Sequence, residues 1–311
     1  MFENESMMLE DGRTLSYSLY GSPIPITTIV YMHGFPSSRF EGRQWHTTCT
    51  RHNVRLISPD RPGSGLSTFQ PNRRILDWPA DVLALVDHLK INEFYILGVS
   101  GGSPPALACM KEIGKDRLLG VTIISGLYPL KFGTAGMLVS TRILMWVAPW
   151  LTGLTATLID TLIGKASRNK DPKVLEKLMS KGTTDNAHLG DRKAIEAPAY
   201  WPVFVDMTRE SFHQGSEGAS WEARLYGSDW GFELEQLDVS ENGIALTLWH
   251  GTTDMNVPVS MAKKANELIA GSLLHLKEGE GHVSFISRDA DEILDDLLGF
   301  TETEEYLQEG E

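Results

Sequence analysis

The sequence predicts an α/β fold: a mostly parallel sheet with helices on both faces, interrupted by one large helical insertion. Three observations predict it. Short apolar strands alternate with helical segments through the first part of the chain, the order in which crossover units build a parallel sheet. The alternation stops at Leu127 and resumes at Gly243. Within the first part, Gly98-Val99-Ser100-Gly101-Gly102 lies where a strand must reverse directly into a helix.

Taken in order, Arg13–Tyr20 alternates polar and apolar residues, which predicts a strand with one wet face. Ile26–Met32 is apolar and β-branched, a central strand, and runs into the loop His33-Gly34-Phe35-Pro36-Ser37-Ser38. A polar helix is expected over Glu41–His52 and a third strand over Val54–Ser58. Trp78, Val82, Leu85, Val86 and Leu89 mark an amphipathic helix with Asp77 as its N-cap. Phe94–Val99 reads as a buried strand and the segment from Pro104 as a helix, whose first turn has no need of the proline N–H. Leu118–Ile124 is the next strand, closing at Ser125-Gly126.

The insertion holds most of the tryptophans. Met137–Ile163 predicts a buried apolar helix pair broken at Pro149, and Pro172–Lys181 a further helix; Tyr200–Pro202 and Trp221–Trp230 look less regular. Its stretch 143–159 is uncharged but short for a membrane span and interrupted by Pro149 and Gly153, so it is read as part of the insertion. The sheet pattern resumes with a strand at Gly243–His250, a helix at Pro258–Ile269, a strand at Ser272–Leu276 and a helix at Val283–Phe300.

The 311 residues are 41% hydrophobic and 22% charged, enough for a sizeable core. The formal net charge of −13 and the lack of a basic run argue against a nucleic-acid partner. Two cysteines, Cys49 and Cys109, make no disulfide framework. The first residues carry neither a basic nor an apolar signal region. Both point to a cytoplasmic protein. The acidic end, 301–311, reads as a solvated tail.

The chemistry is concentrated at strand ends. A sharp strand-to-helix turn exposes its central side chain, and Gly98 and Gly102 remove the Cβ atoms that would crowd Ser100. A serine needs a base, and the base an orienting partner. Asp254 follows the strand ending at His250, and His282 lies in the Gly-rich loop after the next strand. Asp238 and Asp229 are rival acids, and Asp254 has an alternative role as a helix cap. Donors for a developing oxyanion would be the amide of Gly101, at a helix N-terminus, and that of Phe35, in the loop opened by His33-Gly34. No histidine spacing suggests a metal, and no cofactor motif is present.

Five ordered motifs carry a resemblance: His33-Gly34, Asp60 to Ser67, Gly98 to Gly102, Gly251 to Pro258, and Gly281-His282. Over roughly residues 10–126 and 240–300 the chain resembles the α/β-hydrolase family, in its serine-nucleophile, esterase- and lipase-like branch. The resemblance implies an eight-stranded, mostly parallel sheet, a Ser100–His282–Asp254 triad and a lid over the site. The core would be 1–126 with 232–300, and the lid 127–231. His33-Gly34-Phe35-Pro36 also resembles the loop of epoxide hydrolases, which carry an aspartate where Ser100 stands. Ser103-Pro104-Pro105 departs from the small and apolar residues usual after the nucleophile. The expected function is hydrolysis of an ester, lactone or thioester of a mainly apolar small molecule. The alternatives are a non-hydrolytic decarboxylase, lyase or cyclase using His282 as base, and a small-molecule receptor.

Overall fold

A computed structural model describes residues 1–186, 188–240 and 243–299. Among these residues eight strands form one sheet: β1 (Phe2–Met8), β2 (Thr14–Gly21), β3 (Thr27–Met32), β4 (Val54–Pro59), β5 (Phe94–Val99), β6 (Leu118–Ile124), β7 (Ala245–Gly251) and β8 (Leu273–Lys277). Their spatial order is β1-β2-β4-β3-β5-β6-β7-β8. The β1–β2 and β2–β4 pairs are antiparallel, and every pair from β4 to β8 is parallel. β6 and β7 pair in register from Gly120–Ala245 to Ile124–Trp249, so the chain on either side of the insertion belongs to one sheet.

The period of two along each strand sorts side chains onto two cores. Val30 and Met32 of β3, with Phe94 and Ile96 of β5, join one cluster. That cluster takes in α2 (Trp78–His88), α3 (Ser103–Glu112) and α11 (Val259–Leu268). Ile29, Tyr31, Tyr95 and Leu97 face the other way, onto α1 (His46–Arg51) and α12 (Ala290–Leu298). The central strands are therefore apolar throughout because both faces are covered.

Several expectations are corrected. β1 is a strand that the sequence does not signal: Phe-Glu-Asn-Glu-Ser-Met-Met is mostly exposed, has no periodic pattern, and is an edge strand defined by its pairing with β2. β2 has no wet face. Its Ser16 and Ser18 are fully buried, and their hydroxyls donate to Asp60 Oδ2 and to the carbonyl of Glu3. Asp77 stands at the N-cap position of α2 as expected, but its side chain makes no capping bond there; its carboxylate accepts from the Arg74 amide and closes the preceding 3-10 turn. The last helix starts at Ala290, not Val283, because residues 282–284 form a turn held by another element. Phe300 and the acidic tail 301–311 lie outside the described residues.

The insertion is more regular than its sequence suggests. It contains α4 (Val139–Val147), α5 (Thr152–Ile159), α6 (Lys165–Ser167), α7 (Pro172–Asn186), α8 (Leu189–Ile195), α9 (Trp201–Ser211) and α10 (Glu217–Gly227). The Tyr200–Pro202 and Trp221–Trp230 stretches thus belong largely to helices. The apolar pair is broken at Pro149 as expected, but only its inner side, with Met145, Ala148 and Ile159, is buried. Its outward residues, Trp146 and Trp150 among them, face solvent.

Candidate active site

β5 ends in extended backbone at Val99, and Ser100 then takes φ +53° before α3 begins. A non-glycine residue in this left-handed region costs about 1–3 kcal/mol, so the surrounding turn must impose it. The glycines explain how. A Cβ on Gly102 would lie 2.0 Å from the carbonyl oxygen of Met32, so only glycine lets the turn press against the end of β3. The unusual Ser103-Pro104-Pro105 also finds its reason. Both prolines sit in the first turn of α3, and the buried Ser103 hydroxyl lies 2.9 Å from the Ser100 carbonyl oxygen.

The structure brings Ser100, His282 and Asp254 together. His282 Nε2 is 2.9 Å from Ser100 Oγ, and its Nδ1 is 2.7 Å from Asp254 Oδ2. Asp254 does not cap α11. Its Oδ1 accepts from the amides of Asn256 and Val257, which fixes the carboxylate in its own loop. Burial alone would raise the Asp254 pKa, but the adjacent His282 and these donors hold it below the usual carboxylate range. Burial likewise opposes protonation of His282, yet the Asp254 charge and hydrogen bond outweigh it and raise the imidazole above its ordinary 6.5. His250 packs behind the pair with Nε2 donating to the Val257 carbonyl, and burial lowers its pKa. The rival acids are elsewhere: Asp238 and Asp229 are exposed and accept from amides of their own turns, those of Ser240 and Gly231.

The backbone of His282 is gripped from two sides by residues whose roles the sequence does not reveal. Ser125, at the end of β6 with φ +49°, donates its hydroxyl to the His282 carbonyl at 2.6 Å. Asp191 of α8 accepts from the amides of His282, Val283 and Ser284 at 2.7–3.0 Å. The insertion therefore anchors the loop that carries the histidine. Asp191→Ala is expected to lower kcat by about 10-fold or more with a smaller change in KM, because displaced catalytic geometry is costly even from a distance. Steady-state kinetics on a soluble ester would check this; an unchanged kcat would mean the loop holds itself.

The second loop at the site is shaped by a buried ion pair. Arg61 donates to the carbonyls of His33 and Gly34 at 2.6 and 2.8 Å, and pairs with Glu222 of α10. Arg73 adds a second cation 3.3 Å from Glu222. His33 donates through Nδ1 to the Gly34 carbonyl and is buried beside Arg61; burial first, then that cation, lowers its pKa to about 4. With both carbonyls turned toward Arg61, Phe35 comes beside the nucleophile turn: a Cβ on Gly101 would lie 2.6 Å from Phe35 Cβ and 3.3 Å from Phe35 N. Tyr226 of α10 donates to the Gly101 carbonyl at 2.7 Å and meets the Phe35 ring edge-on. Glu41, also buried, accepts from Gly34 N and from the Tyr31 hydroxyl, and burial raises its pKa.

Glu222 does leave a trace in the sequence. It stands with Ala219, Ala223 and Tyr226 at helical spacing, an acid on a buried stripe. Removing it leaves Arg61 without its buried counter-charge. Glu222→Ala is therefore expected to destabilise the fold by about 3–5 kcal/mol, the scale for breaking one side of a buried pair. Urea unfolding would measure it, and a loss under about 1 kcal/mol would mean that water replaces the carboxylate.

Above Ser100 lies a cavity of about 480 Å³. Its floor is Gly34, Phe35, Ser100, Gly101 and His282, and its walls from the insertion include Leu138, Leu144, Met145, Ile163, Phe204 and Met207. Such a space, apolar with a few convergent polar groups, suits a small molecule.

A strained serine at a parallel strand's end, hydrogen-bonded to a histidine and through it to a buried carboxylate, is an arrangement that the strand-to-helix turn of α/β enzymes can present. The alpha/beta hydrolase fold family model matches residues 27–289, and the chain belongs to that family. It is 24% identical over 300 residues to an uncharacterized hydrolase, YcgS, of Bacillus subtilis strain 168, covering 94% of this chain and 96% of that protein. The fold is similar to that of a bromoperoxidase from Bacillus anthracis (TM-score 0.66, 20% identity, 96% and 100% of the two chains). It is also similar to an esterase from Exiguobacterium antarcticum (TM-score 0.63, 18% identity, 97% and 100%). The epoxide hydrolase CorEH superposes with a TM-score of 0.69 at 17% identity, covering 95% and 98%.

Proposed function

We propose that this protein is a serine hydrolase that cleaves an ester, lactone or thioester of a mainly apolar small molecule through an acyl-enzyme. The observation that carries the reading is the continuous relay from Ser100 Oγ to His282 to Asp254 beneath an apolar cavity. Ser100 Oγ attacks the acyl carbon while His282 Nε2 takes its proton. Asp254 keeps the Nδ1–H tautomer and stabilises the imidazolium. The amides of Gly101 and Phe35 receive the oxyanion, and Arg61 keeps the Phe35 loop in place for that task. His282 then protonates the departing alcohol or thiol, and water, activated by the same histidine, releases the acid and restores Ser100. In this reading 127–231 is the lid that sets substrate choice, over a core of 1–126 and 232–300. A cytoplasmic location fits the two buried, free cysteines.

The direct test is labelling with a serine-directed fluorophosphonate, followed by peptide mass spectrometry and a screen of p-nitrophenyl esters of increasing chain length. The adduct belongs on the peptide containing Ser100; an adduct elsewhere on active protein would refute the assignment. The pH profile offers a second check. His282 accepts a proton only when neutral, and its pKa is raised above 6.5. Below that pKa the imidazolium is inactive, so kcat/KM should rise with pH through a midpoint above 6.5. A flat profile across that range would exclude histidine as the base.

A further inference from the structure

We infer that the outer face of α4 and α5 docks on an anionic lipid surface, lying in its plane. On α4, Val139, Ile143 and Trp146 are exposed at one-face helical spacing. After the Pro149 break the stripe continues through Trp150, Leu151, Leu154, Leu158 and Leu162. Trp146 is 74% and Trp150 82% exposed. The opposite side of these helices is engaged already. Leu144 and Met145 of α4 line the cavity, and α10 packs against both helices: a Cβ on its Gly227 would meet the Met145 carbonyl, and its Ser220 hydroxyl donates to the Thr152 carbonyl. The outward apolar residues are therefore surplus to the fold, and an apolar face of this extent marks an interaction site.

Charge selects the partner. Residues 139–181 contain seven lysines and arginines against three acids, in a chain whose net charge is −13. Arg142, Lys165, Lys170, Lys173 and Lys177 are all exposed. Apolar residues with tryptophans, bordered by cations, are the composition of helices that sit in a headgroup layer. A symmetric pairing with a second copy would bring two copies of this cation-rich segment together. Among the described residues no helix is long and apolar enough to cross a membrane, so the mode is surface docking. The lipid would meet the outside of α4, whose inner side walls the cavity, and of the α5 helix that follows it.

Flotation of the full chain with vesicles tests this, comparing phosphatidylcholine alone with phosphatidylcholine containing phosphatidylglycerol. Binding should be at least about tenfold tighter to the anionic vesicles and should weaken with salt. The variant W146E/W150E/L154E should lose about tenfold or more of that binding while its hydrolysis of a soluble short-chain ester stays unchanged, since none of the three lines the cavity. Should the triple variant fold poorly, Trp150→Ser alone is expected to shift the partition in the same direction. Equal binding to both vesicle types, unaltered binding by these variants, or a patch-dependent dimer that does not float would each overturn the proposal.

Discussion

Ser100→Ala is expected to reduce ester hydrolysis by about 10³–10⁶-fold while leaving the fold intact, and His282→Ala and the double variant should be equally impaired. The reason is geometric. Ser100 Oγ and His282 Nε2 share one hydrogen bond, and in the proposed acyl transfer neither would act without the other. Alanine keeps the Cβ, and with it the same backbone conformation at φ +53°, so the loss reports on the hydroxyl alone. Assays of the three variants on the best ester from the chain-length screen decide the matter. Substantial turnover by Ser100→Ala together with a dead His282→Ala would indicate a general-base reaction in which the serine only positions the substrate.

Asp254→Asn should lower kcat by about 10³–10⁴-fold, because an amide can hold the imidazole in the wrong tautomer and cannot stabilise its charged form. The same substitution should move the midpoint of the pH profile downward. The Asp254 charge is what raises the His282 pKa against the effect of burial, so removing it leaves burial to dominate. The two readouts together separate a charge role from a packing role: a packing defect would lower kcat without shifting the midpoint. Near-normal turnover would require another acid. Asp238 and Asp229 are committed to their own turns, and Asp191 is engaged with three backbone amides.

Much of the site is legible in the sequence because its residues obey local rules. Gly98 and Gly102 flank Ser100 in a turn that few other residues could make, and Asp254 and His282 each follow a strand that ends at the sheet's carboxyl edge. The β5 and β6 strands are legible for a similar reason, being apolar on both faces. Elements that depend on partners are not. The alternation in Arg13–Tyr20 suggests one polar face toward water, but Asp60 and the Glu3 carbonyl satisfy Ser16 and Ser18 inside the protein. In α4 and α5 the apolar content suggests burial, whereas the structure leaves their outward stripe uncovered.

The fold class, and the choice and order of Ser100, Asp254 and His282 as candidate residues, follow from the amino-acid sequence alone, since tight turns and doubly covered strands restrict residue type over a few neighbouring positions. How those residues are held is a matter of tertiary structure. Arg61 reaches Glu222, and Asp191 reaches the His282 loop, across separations of 161 and 91 residues. No local rule links such positions. They meet because the insertion folds back over the sheet, where a buried charge or an unpaired backbone amide is costly until a partner arrives from elsewhere in the chain.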